Sequence, residues 1–583
     1  MHKNGMREWV VPCVLLVSAL VRWCVGLASY SGQGTPPMFG DYEAQRHWME
    51  LTIHLPIRQW YTYDLQYWGL DYPPLTAYVS WICGFIGSFF DPTWFALDRS
   101  RGIETSGSKV YMRTTVFVLD HLVYVPAVWF FVRIWHASRS RRTQNLALIT
   151  LLLQPALLLI DFGHFQYNSV MLGLTMLAIN AFVKGHDLLG AFFFVLSLGF
   201  KQMALYYAPA IGSFLIGKCL YLGPQEGTRL FVRLAVVTIA SFLLLFLPFL
   251  PPLAPFSAIL DPVTRIFPFN RGIFEDKVAN FWCASNVVVK WKFWASRAAL
   301  VRLSTLLTAL GFLPAAIAPI RAWVSLKGDS ATEKTKKDEA PKTVPPALQP
   351  VLLHALLTSS MSFFLFSFQV HEKTILLPLM PLTLLMSGAS QDSTLFKIGA
   401  LTNNVGVFSM WPLLRRDGLA VQYIALLALW NRLIGHNPFR FRGASFLDYF
   451  SSAVYLACLA LHALELLVSP PPRYPDIFPV LNVLVSTPIF VLTWLWCIQS
   501  LIQARWAVGS LGVGTRSRRT SITSEKGSVS HGADAPASPV DGFPLKGVRH
   551  VRSKPSSLGY ASSSGSSRRR PPVSKASSVS GGD

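Results

Sequence analysis

What most constrains this chain is a succession of apolar runs, near 10–29, 114–134, 146–160, 169–184, 188–200, 204–221, 233–250, 297–320, 348–366, 374–388, 397–412, 419–435, 450–468 and 478–503. A helix needs about 20 mainly apolar residues to cross a hydrocarbon core. In lipid, only helices and closed barrels satisfy their own backbone groups. The runs therefore predict an all-α polytopic membrane protein with about 14 membrane helices. The runs 146–160, 188–200 and 374–388 fall short of a full span and read as tilted, broken or re-entrant. The start, MHKNGMREW, resembles a signal-peptide head, but Arg22 interrupts the run that follows and no clear cleavage site succeeds it. It reads as a first membrane helix.

Charge placement narrows what such a body can do. Only 14% of the 583 residues are charged, and Lys+Arg exceed Asp+Glu by 52 to 30. Such an excess can signal nucleic acid. Here it sits in the C-terminal tail and a few short loops, as the positive-inside rule expects, and no nucleic-acid motif accompanies it. The expected partners are membrane lipids, not nucleic acid. With both termini cytosolic, parity puts 136–144, 223–233, the Lys-rich linker 321–347 and 436–443 on the cytosolic side, and all four are basic. The opposite face collects 30–113, 161–169, 251–295, 368–373 and 469–476. LRRDG (414–418) breaks the rule, falling on that second face despite two arginines. The seven cysteines lack metal-ligand spacing and read as small buried hydrophobes. Residues 1–504 form the membrane body. Residues 505–583, rich in Ser, Gly, Arg and Pro, read as a basic, disordered cytosolic tail.

The loop 30–113 holds the densest mixture of charged and aromatic residues. Within GDYEAQRHWMELTIHLPIRQWYTYDLQYWGLDYPPLTAY lie Asp41, Glu43, Arg46, His47, Glu50, Asp64 and Asp71, among many Trp and Tyr. A loop that merely joins helices needs no such content, so an ordered layer at the membrane surface is expected. Glu43 to His54 suits an interfacial amphipathic helix. A carboxylate there fits transfer of a sugar from a lipid-borne donor. The attacking hydroxyl needs a general base, and a phosphate leaving group needs cationic support rather than a proton. The candidate bases are Asp41, Glu43, Asp64, Asp71 and Asp161, and residue types alone barely rank them. Asp41 follows Gly40, which permits close approach, but it also suits the N-cap of a helix opening at Tyr42. Asp71, before Tyr72-Pro73-Pro74, serves chemistry or that turn. Glu43, Arg46 and Glu50 have the spacing of surface ion pairs.

Three other segments carry candidate groups. In FQVHEKTIL, His371 suits a phosphate contact. Lys373 suits the same anion or snorkels and pairs with Glu372. Arg265 and Arg271 either serve a phosphate or pair with Glu275 or Asp276. Asp161, His164, Gln166 and Asn168 form a polar cluster in DFGHFQYNS, which Lys201 and Gln202 are placed to join. No DxD motif for a nucleotide-sugar metal is present, so no metal or other cofactor is expected.

GDYEAQRHWMELTIHLP, QYWGLDYPPLTAY, SFFDPTWFAL, HFQYNSVMLGLT, FKQMALYY, RIFPFNRGIFEDKVANFWC and SFFLFSFQVHEKTIL together closely resemble the endoplasmic-reticulum dolichyl-phosphate-glucose α-1,3-glucosyltransferases. The similarity runs from about Val10 to about Ile502, broken by the insert 328–346 and the tail. It implies a GT-C glycosyltransferase fold and a lumenal active site. It also implies a dolichyl phosphate glucose donor, a nine-mannose lipid-linked oligosaccharide acceptor and metal-independent inversion. By the resemblance, Asp41 is the catalytic base. The resemblance also places His371 near the donor phosphate; from the residues themselves, Lys373 and Arg271 are expected to serve that phosphate, while Glu43, Arg46, His47, Asp71, Tyr72, Asp161, His164 and Gln166 are expected to bind substrate or organise the loops. The expected enzyme is a monomer of the endoplasmic-reticulum membrane. The sister enzyme adding the second glucose shares LDYPP but differs around the acidic start of the loop. A transporter is the alternative from another class, expecting mid-membrane charges and inverted repeats.

Overall fold

A computed structural model describes residues 5–267, 277–330, 343–368, 370–438 and 445–524, without the side chains of 327–330 and 510–524. Arg271, Glu275 and Asp276 lie outside the described residues. Two units divide the chain, Met1–Ser521 and Ile522–Asp583, and of the second only 522–524 are described.

The described residues form helices joined by turns, with no strand among them. All fourteen apolar runs carry helix. By length and composition, eight helices suffice to cross a membrane: Ser106–Trp135, Arg141–Phe165, Gln202–Leu222, Pro224–Phe249, Arg297–Leu326, Leu348–Phe366, Phe446–Leu467 and Ile477–Gly509. Val10–Gly26, Asn168–Val183, Asp187–Phe200 and Ala420–Ile434 are apolar but shorter. Inner and outer helices differ sharply. The most apolar window of Arg141–Phe165 is 89% buried inside the protein and that of Pro224–Phe249 only 17%. The outer helix, with Val236, Ile239, Leu243 and Leu244 exposed, suits hydrocarbon surroundings.

Two ion pairs lie buried inside the helical body, where low dielectric favours pairing. Arg22 donates to Asp120 at 2.9 Å and to the Leu152 carbonyl at 2.9 Å, fastening Val10–Gly26 to two neighbouring helices. Lys218 meets Asp187 at 2.6 Å.

The structure corrects three expectations. The helix Asp41–His54 is buried on all sides from Tyr42 to Thr52 and so lacks the outward-facing side an interfacial amphipathic helix would present. Its charges can be buried because they are paired, Arg46 bridging Glu43 and Glu50. Second, Pro74–Ser88, read as loop, is a helix packed on Asp41–His54. Pro74 suits the start of a helix, and Trp81, Ile82, Phe85 and Ile86 remain exposed on it. Third, the helix Ile477–Ser524 passes through the body–tail boundary at 504 and through Thr515.

Candidate active site

Two glycines set the position of Asp41. Gly32, at φ +76°, turns the chain back so that Ser31 lies against Gly40. A Cβ on Gly40 would stand 2.6 Å from the Ser31 carbonyl carbon and oxygen. This approach lets the Asp41 amide donate to Ser31 Oγ at 3.2 Å. Gly40, not Asp41, is the N-cap residue; Asp41 begins the helix, and its carboxylate is left for other partners. Gly40→Ala should force the two segments apart. We expect turnover to fall about 100-fold and stability by about 1–3 kcal/mol, read by a transfer assay beside thermal unfolding.

The partners of Asp41 come from elements far away in sequence. Leu159–Phe165 winds as a π-helix, a form frequent at functional sites, and its last residue, Phe165, has φ +88°, a strained value for a residue with a Cβ. Arg113 holds this turn, donating to the carbonyls of Phe162 at 2.5 Å, Gly163 at 2.8 Å and Ser29 at 3.0 Å. The turn aims His164 Nε2 at Asp41 Oδ2, 3.1 Å away, and brings the Gln166 amide to the same oxygen. Lys201 Nζ donates to Gln166 Oε1 at 2.9 Å and Asn168 Oδ1 at 2.6 Å, which keeps the amide NH2 of Gln166 towards Asp41. Lys373 completes the set, its ammonium also on Asp41 Oδ2 and 3.3 Å from His164 Nε2. Among the described residues, no hydrogen bond is made to Asp41 Oδ1. Burial alone would raise the Asp41 pKa. The Lys373 charge and then His164 outweigh it, holding the carboxyl well below the usual carboxylate range.

Asp41 lies on the wall of a cavity of about 1090 Å³. Its lining comes from the first loop, His164 and Gln166, Gln202–Tyr206, Arg265–Phe267, Phe363–Lys373 and Leu413–Gly418. By the loop parity read from the sequence, each of these segments is expected on the face opposite the basic loops or at a helix end bordering it, LRRDG included.

Of the five candidate bases, only Asp41 and Asp71 reach this cavity. Asp161 is fully buried and accepts from Asn168 Nδ2 at 2.9 Å and the Ser169 amide at 2.6 Å, so it holds the start of the helix Asn168–Val183. Asp64 pairs with Arg101 at 2.7 Å and lies 3.4 Å from His47. Glu43 and Glu50 do pair with Arg46, each at 2.7 Å, but inside the protein rather than on its surface. His47 is buried beside Glu50 and Tyr67 and does not line the cavity. Tyr72 lines it, with its ring 4.8 Å from Lys201 Nζ and its hydroxyl 3.4 Å from Gln166 Oε1. His371 and Glu372 also line it. Lys373 is on Asp41 rather than Glu372. Arg265 donates to the carbonyls of Gly69 at 2.9 Å and Leu70 at 3.2 Å, where the LDYPP element begins.

Sequence reasoning missed Asp417, whose Oδ2 is 2.5 Å from His164 Nδ1. Its signal was the LRRDG exception. Arg415 pairs with Glu465, Arg416 lines the cavity and Asp417 is buried on His164, so the segment belongs to the site.

The model of the ALG6, ALG8 glycosyltransferase family matches residues 18–496. Dolichyl pyrophosphate Man9GlcNAc2 alpha-1,3-glucosyltransferase of Saccharomyces cerevisiae is 44% identical over 523 residues, covering 84% of this chain and 91% of its own. The rat protein of that name is 40% identical, covering 83% and 95%. Among solved structures, the archaeal oligosaccharyltransferase AglB from Archaeoglobus fulgidus, in complex with an inhibitory peptide and a dolichol-phosphate, aligns with 87% of this chain and 56% of its own. Its identity is 16% and its TM-score 0.30, a level that does not establish a common fold.

Proposed function

The chain belongs to the ALG6, ALG8 glycosyltransferase family, and from that membership we propose that it transfers glucose from dolichyl phosphate glucose to the terminal mannose of dolichyl pyrophosphate Man9GlcNAc2, forming an α-1,3 linkage. Relatives covering most of the chain are named for that acceptor and linkage, which favours it over the second-glucose reaction. The family excludes the transporter alternative.

One observation carries the mechanism: an ionised carboxylate on a cavity wall, with every described donor on one oxygen and the other left open. The mannose hydroxyl gives its proton to Asp41 Oδ1 as its oxygen bonds the glucose anomeric carbon. The bond to the phosphate oxygen breaks on the opposite face, and its electron pair leaves with dolichyl phosphate. This single displacement inverts the centre, so an α product requires a β-linked donor. The departing phosphate is an anion, which Lys373 and His371 on the cavity wall would hold. Arg271, outside the described residues, is assigned the same role from its residue type and loop alone. The cavity exceeds the roughly 300–1,000 Å³ of most small-molecule sites, in keeping with one that receives the ends of two lipid-linked substrates. No metal takes part in this mechanism. The body is a GT-C monomer in the endoplasmic-reticulum membrane with the cavity lumenal and both termini cytosolic. The gathering of the non-basic loops around the cavity supports that orientation.

Purified protein with synthetic dolichyl phosphate glucose should glucosylate a Man9GlcNAc2 lipid and continue in EDTA. Turnover only of an acceptor already bearing one glucose would reject the assignment, and loss in EDTA would reject the metal-free mechanism.

Lys373 has two competing anions, Asp41 and the donor phosphate. In the empty site it helps keep Asp41 ionised; once it moves to the phosphate, only His164 offsets burial and the Asp41 pKa rises. Falling pH removes the base form only on passing that pKa, so the bound enzyme loses activity at higher pH than the free one. Measured at saturating acceptor, donor kcat/KM should therefore show no Asp41 limb above about pH 4, while kcat shows an acid limb at higher pH. Coincident limbs would mean that Lys373 stays on Asp41.

A further inference from the structure

His164 lies between two carboxylates. Its Nε2 is 3.1 Å from Asp41 Oδ2 and its Nδ1 is 2.5 Å from Asp417 Oδ2. The side chains of His164 and Asp417 are each 2% exposed, so water does not screen the contact. An imidazole donor meets a carboxylate most strongly when both are charged and the ring orientation is fixed. Asp417 enters from the turn after the short helix Trp411–Arg416, more than 250 residues from His164. That turn has other anchors. Ser29 Oγ donates to the Asp417 backbone carbonyl, and Gly418, at φ +72°, packs against Ser29. Neither uses the Asp417 carboxylate. A buried carboxylate is costly unless it is paired, and this one is spent on the ring that touches Asp41.

We propose that Asp417 and His164 are a positioning pair for Asp41. Asp417 locks the imidazole from behind, and the Nε2 side of the ring pins Asp41 Oδ2 to the cavity wall, so that Oδ1 points at the incoming hydroxyl. Gln166, steadied by Lys201, supports the same oxygen from the other side. When Lys373 leaves for the phosphate, His164 and Gln166 keep the carboxylate aimed. The proposal rests on Asp41 being the base.

The test uses the full chain, synthetic dolichyl phosphate glucose and a Man9GlcNAc2 lipid. Asp417→Asn should lower kcat about 30- to 100-fold, with both KM values within about threefold, since only the aim of the base is lost. His164→Gln should lower kcat similarly, and the double variant should be no slower than His164→Gln alone, because Asp417 acts through the ring. A purely structural role would instead give losses that multiply. Wild-type kcat in Asp417→Asn, or multiplied losses, overturns the proposal. Should Asp417→Asn not fold, His164→Gln decides: its amide can reach Asp41 but cannot bond both carboxylates, so wild-type kcat there also overturns it. Asp41→Asn separates the two ideas. If it is inactive while Asp417→Asn is normal, the base stands and the positioning pair falls; if it is active, the base itself is wrong.

Discussion

Asp41→Asn should reduce glucosyl transfer by at least about 10³-fold while leaving a folded protein that still takes up the donor. The substitution keeps a side-chain oxygen for Gln166 and Lys373 and removes only the ability to accept a proton at neutral pH. The lost charge-assisted bonds cost about 1–3 kcal/mol, which thermal unfolding will register as a modest shift. Lys373 and His371 remain for the phosphate, so donor binding, read with labelled dolichyl phosphate glucose, should hold or tighten as Lys373 is released from its carboxylate. Two other acids, Asp71 and Glu372, line the cavity, and neither is part of the set with His164, Gln166 and Lys373. If either were the base, Asp41→Asn would retain most of its kcat with unchanged KM values, and the assignment would fail.

The helices were legible because the bilayer demands long apolar runs, and these leave an unmistakable trace even where a span is broken, as at Leu159–Phe165. Pro74–Ser88 was not legible. It is too short to span, and it sits amid Trp, Tyr and charges that made the whole stretch read as loop. Within the site, local motifs brought Asp41, His164, Gln166 and Lys373 to notice singly. Their convergence is a product of packing: Asp41 and Lys373 are 332 residues apart. Lys373 illustrates the limit, since its neighbour Glu372 offered a nearer partner and the fold supplied a stronger one. Asp417 carries no motif of its own. Only the misfit of two arginines on the wrong face marked its loop, and charge counting cannot say that one arginine has Glu465 and the other a cavity.

Arg46→Leu should be the most destabilising single change in the first loop, because the guanidinium is the hub of a buried network. Arg46 is fully buried and bonds Glu43 through Nε at 2.8 Å and Nη2 at 2.7 Å, Glu50 at 2.7 Å, Ser100 Oγ at 2.6 Å and the Trp94 carbonyl at 3.0 Å. These contacts tie Asp41–His54 to the segment before Ser106 that closes the loop. Removing the cation leaves two buried carboxylates facing each other, a loss of about 3–5 kcal/mol. The aim of Asp41, at the start of the same helix, goes with it. Acid should expose the same network. Burial opposes ionisation of Glu50, but His47 and Arg46 overcome it and bring its pKa to about 2. A depressed carboxylate stabilises the fold above its unfolded pKa, about 4.3, and that contribution disappears as pH falls from there towards 2. Without Arg46, burial and the facing Glu43 push the Glu50 pKa upward, so the folded protein takes up a proton as pH falls and the melting temperature of Arg46→Leu should recover part of its loss relative to the parent between pH 6 and 4. Replacing the set together, as Glu43→Gln/Arg46→Met/Glu50→Gln, should recover much of the melting temperature, since neutral groups leave no uncompensated charge. If the triple variant is as unstable as Arg46→Leu, the network acts through its shape and hydrogen bonds rather than through charge balance.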